Sequence, residues 1–352
     1  MIKSFFFLYV LCSLLSAHCF AQPYFYKQKD FGSDAIYNPI NLILNGSYDI
    51  IQLDSWSRRI TTFPYRDGSR NVLQNLGNPF PAIQHYGWGN FLRNEVFPIN
   101  IAKKRAQWWP NYQLHLIGGG MTFTATKEWY EARNFPEPYL FSLSTMATYH
   151  LLNEFVENQN YIGDNVDPIA DIYIFDIGGM ILFSFDNVNK FFSEELHLAD
   201  WSLQPSFSVH DFSLQNNGQY FAVKWKLPFS EQWHLFYYFG MNGLTGLSCK
   251  MKNETSFSFG AGLRAKNRYV IDPKTNQQTL DLVWNAGFFY DKENSLLTSL
   301  FISGLTDYTV DLNIYPGLLR IKDFSPGMWF VVRKNGNMIW GITTSYIPGI
   351  SF

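Results

Sequence analysis

His150, Glu154 and Glu157 stand at i, i+4 and i+7, and Asp167 and Asp171 follow at the head of the next apolar stretch. On a helix the first three share one face. One imidazole and several carboxylates converging from two helices could ligate a divalent metal, or act as acid and base in hydrolysing a lipid ester. The plainer alternative is a polar helix face in a water-filled lumen, with Asp167 capping a helix. The sequence favours that alternative, because i, i+4 pairs arise often by chance and Asp-Pro is ordinary cap chemistry. Neither a nucleophile elbow nor a zinc-helix signature accompanies the five residues. No metal and no cofactor is therefore expected, and a catalytic role for His150, Glu154, Glu157, Asp167 or Asp171 stands as the alternative. A second set is basic: Lys224, Lys226, Arg264 and Lys266 share the polar parity of two neighbouring alternating segments. They read as a lumenal wall that binds anions or pairs with the acidic helices. Pairing is favoured, since a buried charge without a partner is costly. His115, His197, His210 and His234 lack metal spacing and read as ordinary polar groups.

The acidic residues need helices to carry them. Ser142 to Asn158 has no Gly or Pro and few β-branched residues, and suits a helix capped by Ser142. Asp167-Pro168-Ile169-Ala170-Asp171 has the form of a helix start, with Asp at the cap and Pro at the first helical position. The run from Ile172 to Phe185 is interrupted by Asp176 and stops at Asp186, which is too short to cross a bilayer. It reads as a helix buried against protein or lying in an interface.

The basic residues need strands. Of the 352 residues 47% are hydrophobic, 18% aromatic and 16% charged, with 33 Phe, 21 Tyr and 11 Trp. This composition rules out disorder, yet no long apolar runs appear, so greasy and polar residues must alternate. They do so in nine segments, at about 201–209, 217–227, 232–250, 254–270, 278–292, 294–306, 308–319, 326–335 and 337–352. The breaks between them carry turn residues such as Asn335-Gly336-Asn337. A soluble sandwich would alternate too. Two features favour a barrel in the outer membrane: aromatics such as Trp233, Tyr290, Tyr308, Trp340 and Tyr346 near strand ends, and a final strand ending on Phe352, the expected assembly signal.

A membrane sheet must close, and single-chain bacterial barrels have even strand numbers. The expected fold is thus mainly β, an antiparallel transmembrane β-barrel of about ten strands, eight to twelve, with an inserted helical segment. Tyr112 to Ala125 supplies the missing strand. Its Gly118-Gly119-Gly120 run marks a bulge or a close approach by another backbone. Residues 1–21 have the charged start, apolar middle and small-residue end of a signal peptide. Cys12 and Cys19 leave with it, so Cys249 has no intramolecular disulfide partner. The expected division is signal peptide 1–21, pre-barrel segment 22–111, and barrel 112–352 with the helical insertion at 142–186. A net charge of −2 gives no sign of nucleic acid. Lys103-Lys104-Arg105 before Trp108-Trp109-Pro110 reads as a headgroup-contacting anchor.

The helix with Glu154 and Glu157, then Asp167-Pro168-Ile169-Ala170-Asp171, then Gly178-Gly179, is similar to a segment of conserved outer-membrane proteins of unknown function in Gram-negative bacteria. Asn41-Leu42-Ile43-Leu44-Asn45 and Trp88-Gly89-Asn90-Phe91-Leu92-Arg93-Asn94-Glu95 also resemble the pre-barrel segments of that group, so the likeness covers roughly residues 40–190. It implies location and architecture only. The expected function is an integral outer-membrane barrel plugged by its own helices, with a structural, envelope-maintenance or narrow-transport role. The alternative is a membrane-embedded lipid- or lipopolysaccharide-modifying enzyme. Outer-membrane lipid and the barrel assembly machinery are the expected partners.

Overall fold

The structure, a computed structural model, describes residues 23–98, 109–159, 161–272, 277–320, 322, 324–345 and 348–352. The expected signal peptide, the Lys103-Lys104-Arg105 anchor and Tyr346 lie outside the described residues. Among the described residues, thirteen strands form one sheet. They are β1 (Ala199–Asp200), β2 (Ser206–Ser208), β3 (Leu214–Gln215), β4 (Phe221–Lys226), β5 (Trp233–Phe239), β6 (Asn242–Lys250) and β7 (Thr255–Asp272). The rest are β8 (Gln277–Lys292), β9 (Ser295–Ser303), β10 (Val310–Ile314), β11 (Gly327–Val332), β12 (Met338–Thr343) and β13 (Gly349–Ser351). From β4 to β13 each strand pairs antiparallel with the next, most of them across short turns. β1 pairs β4, whereas β13 pairs β2 in parallel, Gly349 beside Ser206 and Ser351 beside Ser208. The expected ten antiparallel strands are therefore thirteen, with one parallel pair: the strand at 112–125 is lost to helix, while residues 199–208, 214–226, 232–250 and 337–352 each divide into two strands.

Two-residue alternation divides the sheet into two faces. One face is covered: Phe236, Tyr238, Leu244, Phe289, Phe301, Trp329 and Val331 pack there with Lys224, Arg264, Asp291 and Asp311 among them. The other carries Trp225, Leu235, Phe257, Phe259, Leu263, Trp284, Phe288, Trp340, Ile342 and Ile350, all of them exposed. Phe352 stacks on Trp340 at 4.7 Å between ring centroids. A register shift between Ala265 and Asn267 takes Lys266 out of the alternation.

The N-terminal part is helical. It contains α1 (Gly32–Ile36), α2 (Pro39–Ser47), α3 (Tyr65–Gly77), α4 (Pro79–Tyr86) and α5 (Trp88–Phe91). Asn38 caps α2, its side chain accepting from the backbone N–H groups of Ile40 and Asn41. A π-helix, Trp109–Gly119, then runs without a break into α6 (Gly120–Glu131). Tyr112 to Ala125 is thus helix, which corrects the expected strand. Its polar–apolar alternation is too short to exclude a helix, and its glycines serve a helix crossing. After α6 come α7 (Pro138–Glu157), α8 (Asp167–Leu182) and α9 (Asp186–Glu195), the last two meeting at 84°. No single described helix is long and apolar enough to cross a membrane.

The close approach expected from the triple glycine is real, but it joins two helices. A Cβ on Gly179 would fall 2.5 Å from the Leu116 carbonyl oxygen, and one on Gly120 2.6 Å from the Gly179 carbonyl oxygen. Only glycine lets α8 cross there. Nearby, Met121 and Phe183 pack on Phe221 and Phe239, on the face opposite the aromatic cluster, and Tyr237 Oη donates to Gln113 at 2.7 Å. Ile36 reaches the covered face, among Trp201, Tyr220, Phe236, Tyr238 and Phe289. The residues that meet that face thus include Ile36 of the N-terminal segment, whereas the expected plug, 142–186, packs largely on the other helices.

The Glu128 carboxylate accepts backbone N–H groups from Tyr24 at 2.6 Å, Phe25 at 2.9 Å and Tyr26 at 2.8 Å. Burial nonetheless raises its pKa, against the three hydrogen bonds that lower it. Glu128→Gln should cost about 2 kcal/mol, the worth of a charge-assisted bond, and release residues 23–26. Limited proteolysis at that segment reads the release; an unchanged cleavage pattern would remove Glu128 as the clamp.

Candidate functional site

Three helical elements meet at one buried polar cluster. The π-helix contributes His115, α7 contributes His150, and α8 contributes Asp171 and Asp176 at the two ends of its own π-wound stretch, Asp171–Asp176. Such wider windings re-aim side chains and recur at functional sites. The Gly120–Gly179 contact lies about a turn from His115 and Asp176, and brings their helices close enough for the side chains to touch. His115 Nδ1 is 2.8 Å from Asp176 Oδ1, and His115 Nε2 is 3.7 Å from Asp171 Oδ2. His150 Nδ1 is 3.0 Å from Asp176 Oδ2, at an angle too oblique for a hydrogen bond. The His150 ring stacks on Tyr149 at 4.2 Å. Tyr149 is anchored in turn by its hydroxyl, which donates to Gln219.

Burial alone would lower the His115 pKa. The charge and hydrogen bond of Asp176, with Glu154 and Glu157 beyond, raise it instead to about 9. Burial lowers His150 to about 4, only partly offset by Asp176. Burial pushes Glu154 well above the usual carboxylate range, helped by Asp171 and Asp167. It does the same to Asp171, helped by Asp167 and Asp176. The cluster thus combines a His115 whose charged form Asp176 favours, a His150 that burial holds neutral, and, in Glu154 and Asp171, two carboxyls whose ionisation burial disfavours.

Of the five acidic-helix candidates, the structure brings His150, Glu154 and Asp171 into this cluster. Glu154 accepts from Asn158 Nδ2 at 3.0 Å. Glu157 points elsewhere and pairs with Arg268 at 2.5 Å. Asp167 is the first residue of α8 rather than its cap; Asn165 Oδ1 accepts the Asp167 N–H at 3.3 Å. Ser142 likewise is no cap, because α7 begins at Pro138 and the Ser142 hydroxyl donates to the Phe123 carbonyl. His115 and Asp176 were not among the candidates. Reading 112–125 as a strand separated His115 from α7. The signal that could have found it is the pairing of Gly118-Gly119-Gly120 with Gly178-Gly179 as a helix crossing.

The four basic residues do not form one wall, and none pairs with Glu154, Glu157 or Asp171 as expected. Lys224 is buried, 2.6 Å from Asp291 and 4.8 Å above the Trp201 ring. Lys226 pairs with Glu231 in solvent. Arg264 donates to Gln52 Oε1 at 3.1 Å, while Lys266 offers its carbonyl to the Asp54 N–H. Lys224 and Asp291 also line a cavity of about 260 Å³, with His234 from β5 and Tyr24, Lys29 and Asp34 from the N-terminal segment. No family model, no curated protein and no solved structure matches this chain.

Proposed function

We propose that the sheet closes into a β-barrel spanning the outer membrane, with a filled lumen and a structural, envelope-maintenance or narrow-transport role. The observation that carries this reading is the exposed apolar face, which runs from Trp225 on β4 to Ile350 on β13 and ends in rings such as Trp233 and Trp340. In water so large a greasy surface is a liability; against lipid it is the required outer wall. Closure is supported by residues 199–208. β1 bonds to β4 and β2 to β13, and between them Trp201 and Leu203 continue the β4-side ladder to Tyr220 and Gly218. One course of chain then borders both ends of the sheet, leaving no free edge in lipid. The covered face becomes the lumen, filled by Trp201, Tyr238, Phe289 and Trp329 and entered by Ile36. α8 adds an exposed ridge, Tyr173, Ile177 and Ile181, on the barrel's outer flank.

The chain should fractionate with outer membrane after a urea wash, migrate faster unheated than boiled, and leave planar bilayers close to their baseline conductance. Release by urea would overturn the membrane reading, and porin-like conductance would overturn the filled lumen. The lipid-modifying enzyme is the second reading, favoured by the buried His115–His150–Asp176 cluster. Mass spectrometry of envelope lipids from a deletion strain and its parent discriminates: an altered lipid species moves the function to that cluster, and identical profiles leave the structural role.

A further inference from the structure

We infer that His115, His150 and Asp176 bind one divalent transition-metal ion, with Asp171 as an adjoining carboxylate. One donor atom from each of the three lies within 4.8 Å of the others. Ligand atoms at about 2.0–2.2 Å from a tetrahedral zinc-like ion lie about 3.3–3.6 Å apart, so side-chain shifts of about an ångström complete the set. The second observation concerns atoms without partners. His150 is 3% exposed, yet among the described residues neither ring nitrogen has a hydrogen-bond partner, and its Nδ1 faces Asp176. Asp176 Oδ2 and Asp171 Oδ1, also buried, lack partners too.

Buried polar atoms left unsatisfied are expensive, and such a group calls for an explanation. A cation between the rings and carboxylates would take up one orphaned ring nitrogen of His150 and the Asp176 oxygen together.

The donor set selects the ion. Two imidazoles and one carboxylate suit Zn²⁺, Fe²⁺, Co²⁺ or Ni²⁺, whereas Ca²⁺ and Mg²⁺ require mostly oxygen. Three protein ligands leave coordination positions open, as in catalytic rather than structural centres. Asp171, 3.7 Å from His115 Nε2, is placed to orient that ring. The inference does not depend on where the sheet sits, so it can fail while the membrane reading stands, and the reverse.

The test uses the full chain in detergent, stripped by chelator and dialysed against Zn²⁺, Co²⁺ or Ca²⁺ separately, with metal content read by plasma mass spectrometry. About one Zn²⁺ or Co²⁺ per chain is expected, and no retained Ca²⁺. Co²⁺ should add visible d–d bands that shift when His150 is replaced. His150→Gln and Asp176→Asn should lose stoichiometric binding, and Asp171→Asn should weaken it about 10- to 100-fold. His85→Ala, at an exposed histidine paired with Asp164, should bind like the parent. Unheated gel mobility selects variants that fold, and the His115→Gln variant repeats the measurement at an independent ligand. Equal Zn²⁺ content in parent and in folded His150→Gln or His115→Gln protein would overturn the site, as would no retained Zn²⁺ or Co²⁺ in the parent.

Discussion

Asp291→Asn should destabilise the protein by about 3–5 kcal/mol, the cost of stranding one partner of a buried ion pair. Lys224 and Asp291 meet at 2.6 Å with side chains 5% and 1% exposed, so water can take over for the lost carboxylate only through the cavity that both line. The ammonium would remain above the Trp201 ring, whose attraction supplies only part of what is lost. Lys224→Met with Asp291→Leu in one chain should recover most of the loss, because replacing both charges removes the desolvation cost along with the attraction. Lys226→Met serves as the comparison: its pair with Glu231 lies in solvent, and the urea midpoint should not move. Tryptophan fluorescence during urea unfolding in lipid vesicles reads all four proteins. A loss below about 1 kcal/mol for Asp291→Asn would mean that the pair is hydrated and the interior is not closed.

Gly179→Leu should separate α8 from the π-helix and dismantle the His115–Asp176 contact. The obstacle to a larger residue is the Leu116 carbonyl, a backbone atom that cannot rotate away. Overpacking of this kind costs about 1–3 kcal/mol, and the local effect is greater than that figure conveys, because the crossing positions two proposed ligands at once. Protease resistance of the helical part and retained Zn²⁺ should fall together. Gly77→Ala, at the end of α3 where an added Cβ meets nothing within 4 Å, should change neither. Full metal retention by Gly179→Leu would show that the crossing does not set the site.

The strands were legible because alternation is a local signal that burial enforces residue by residue. The segments at 254–270 and 278–292 match β7 and β8 within two residues at each end. The segment at 232–250 concealed the β5–β6 hairpin, whose turn at Gly240-Met241 interrupts no apolar run. Helix α7 was visible from composition, and only its start was misplaced. The N-terminal helices were not legible: Asn38, Asn41 and Asn45 look like loop residues, yet each is buried, Asn38 and Asn41 bonding to neighbouring backbone around the start of α2 and Asn45 to the distant Leu203 carbonyl. The site was half visible for a related reason. Sequence spacing shows which residues share a helix face, but His115 and His150 meet through a crossing that depends on glycines, which carry no chemistry of their own.

The parallel pair of β13 with β2 bears on the order of events during folding. Ser206 to Ser208 can find those partners only when nearly the whole chain after them is present and arranged, because every hairpin from β4 to β12 intervenes. Contacts of such long range carry the greatest loop-closure entropy and form slowly. Until they form, residues 206–208 present unpaired backbone groups, and an unpaired strand edge is a template for joining another chain. The interval between emergence of β2 and docking of β13 is therefore when this molecule is most exposed to misassembly. A chaperone that bound the edge at 206–208 would protect it only if it released that edge to the final strand.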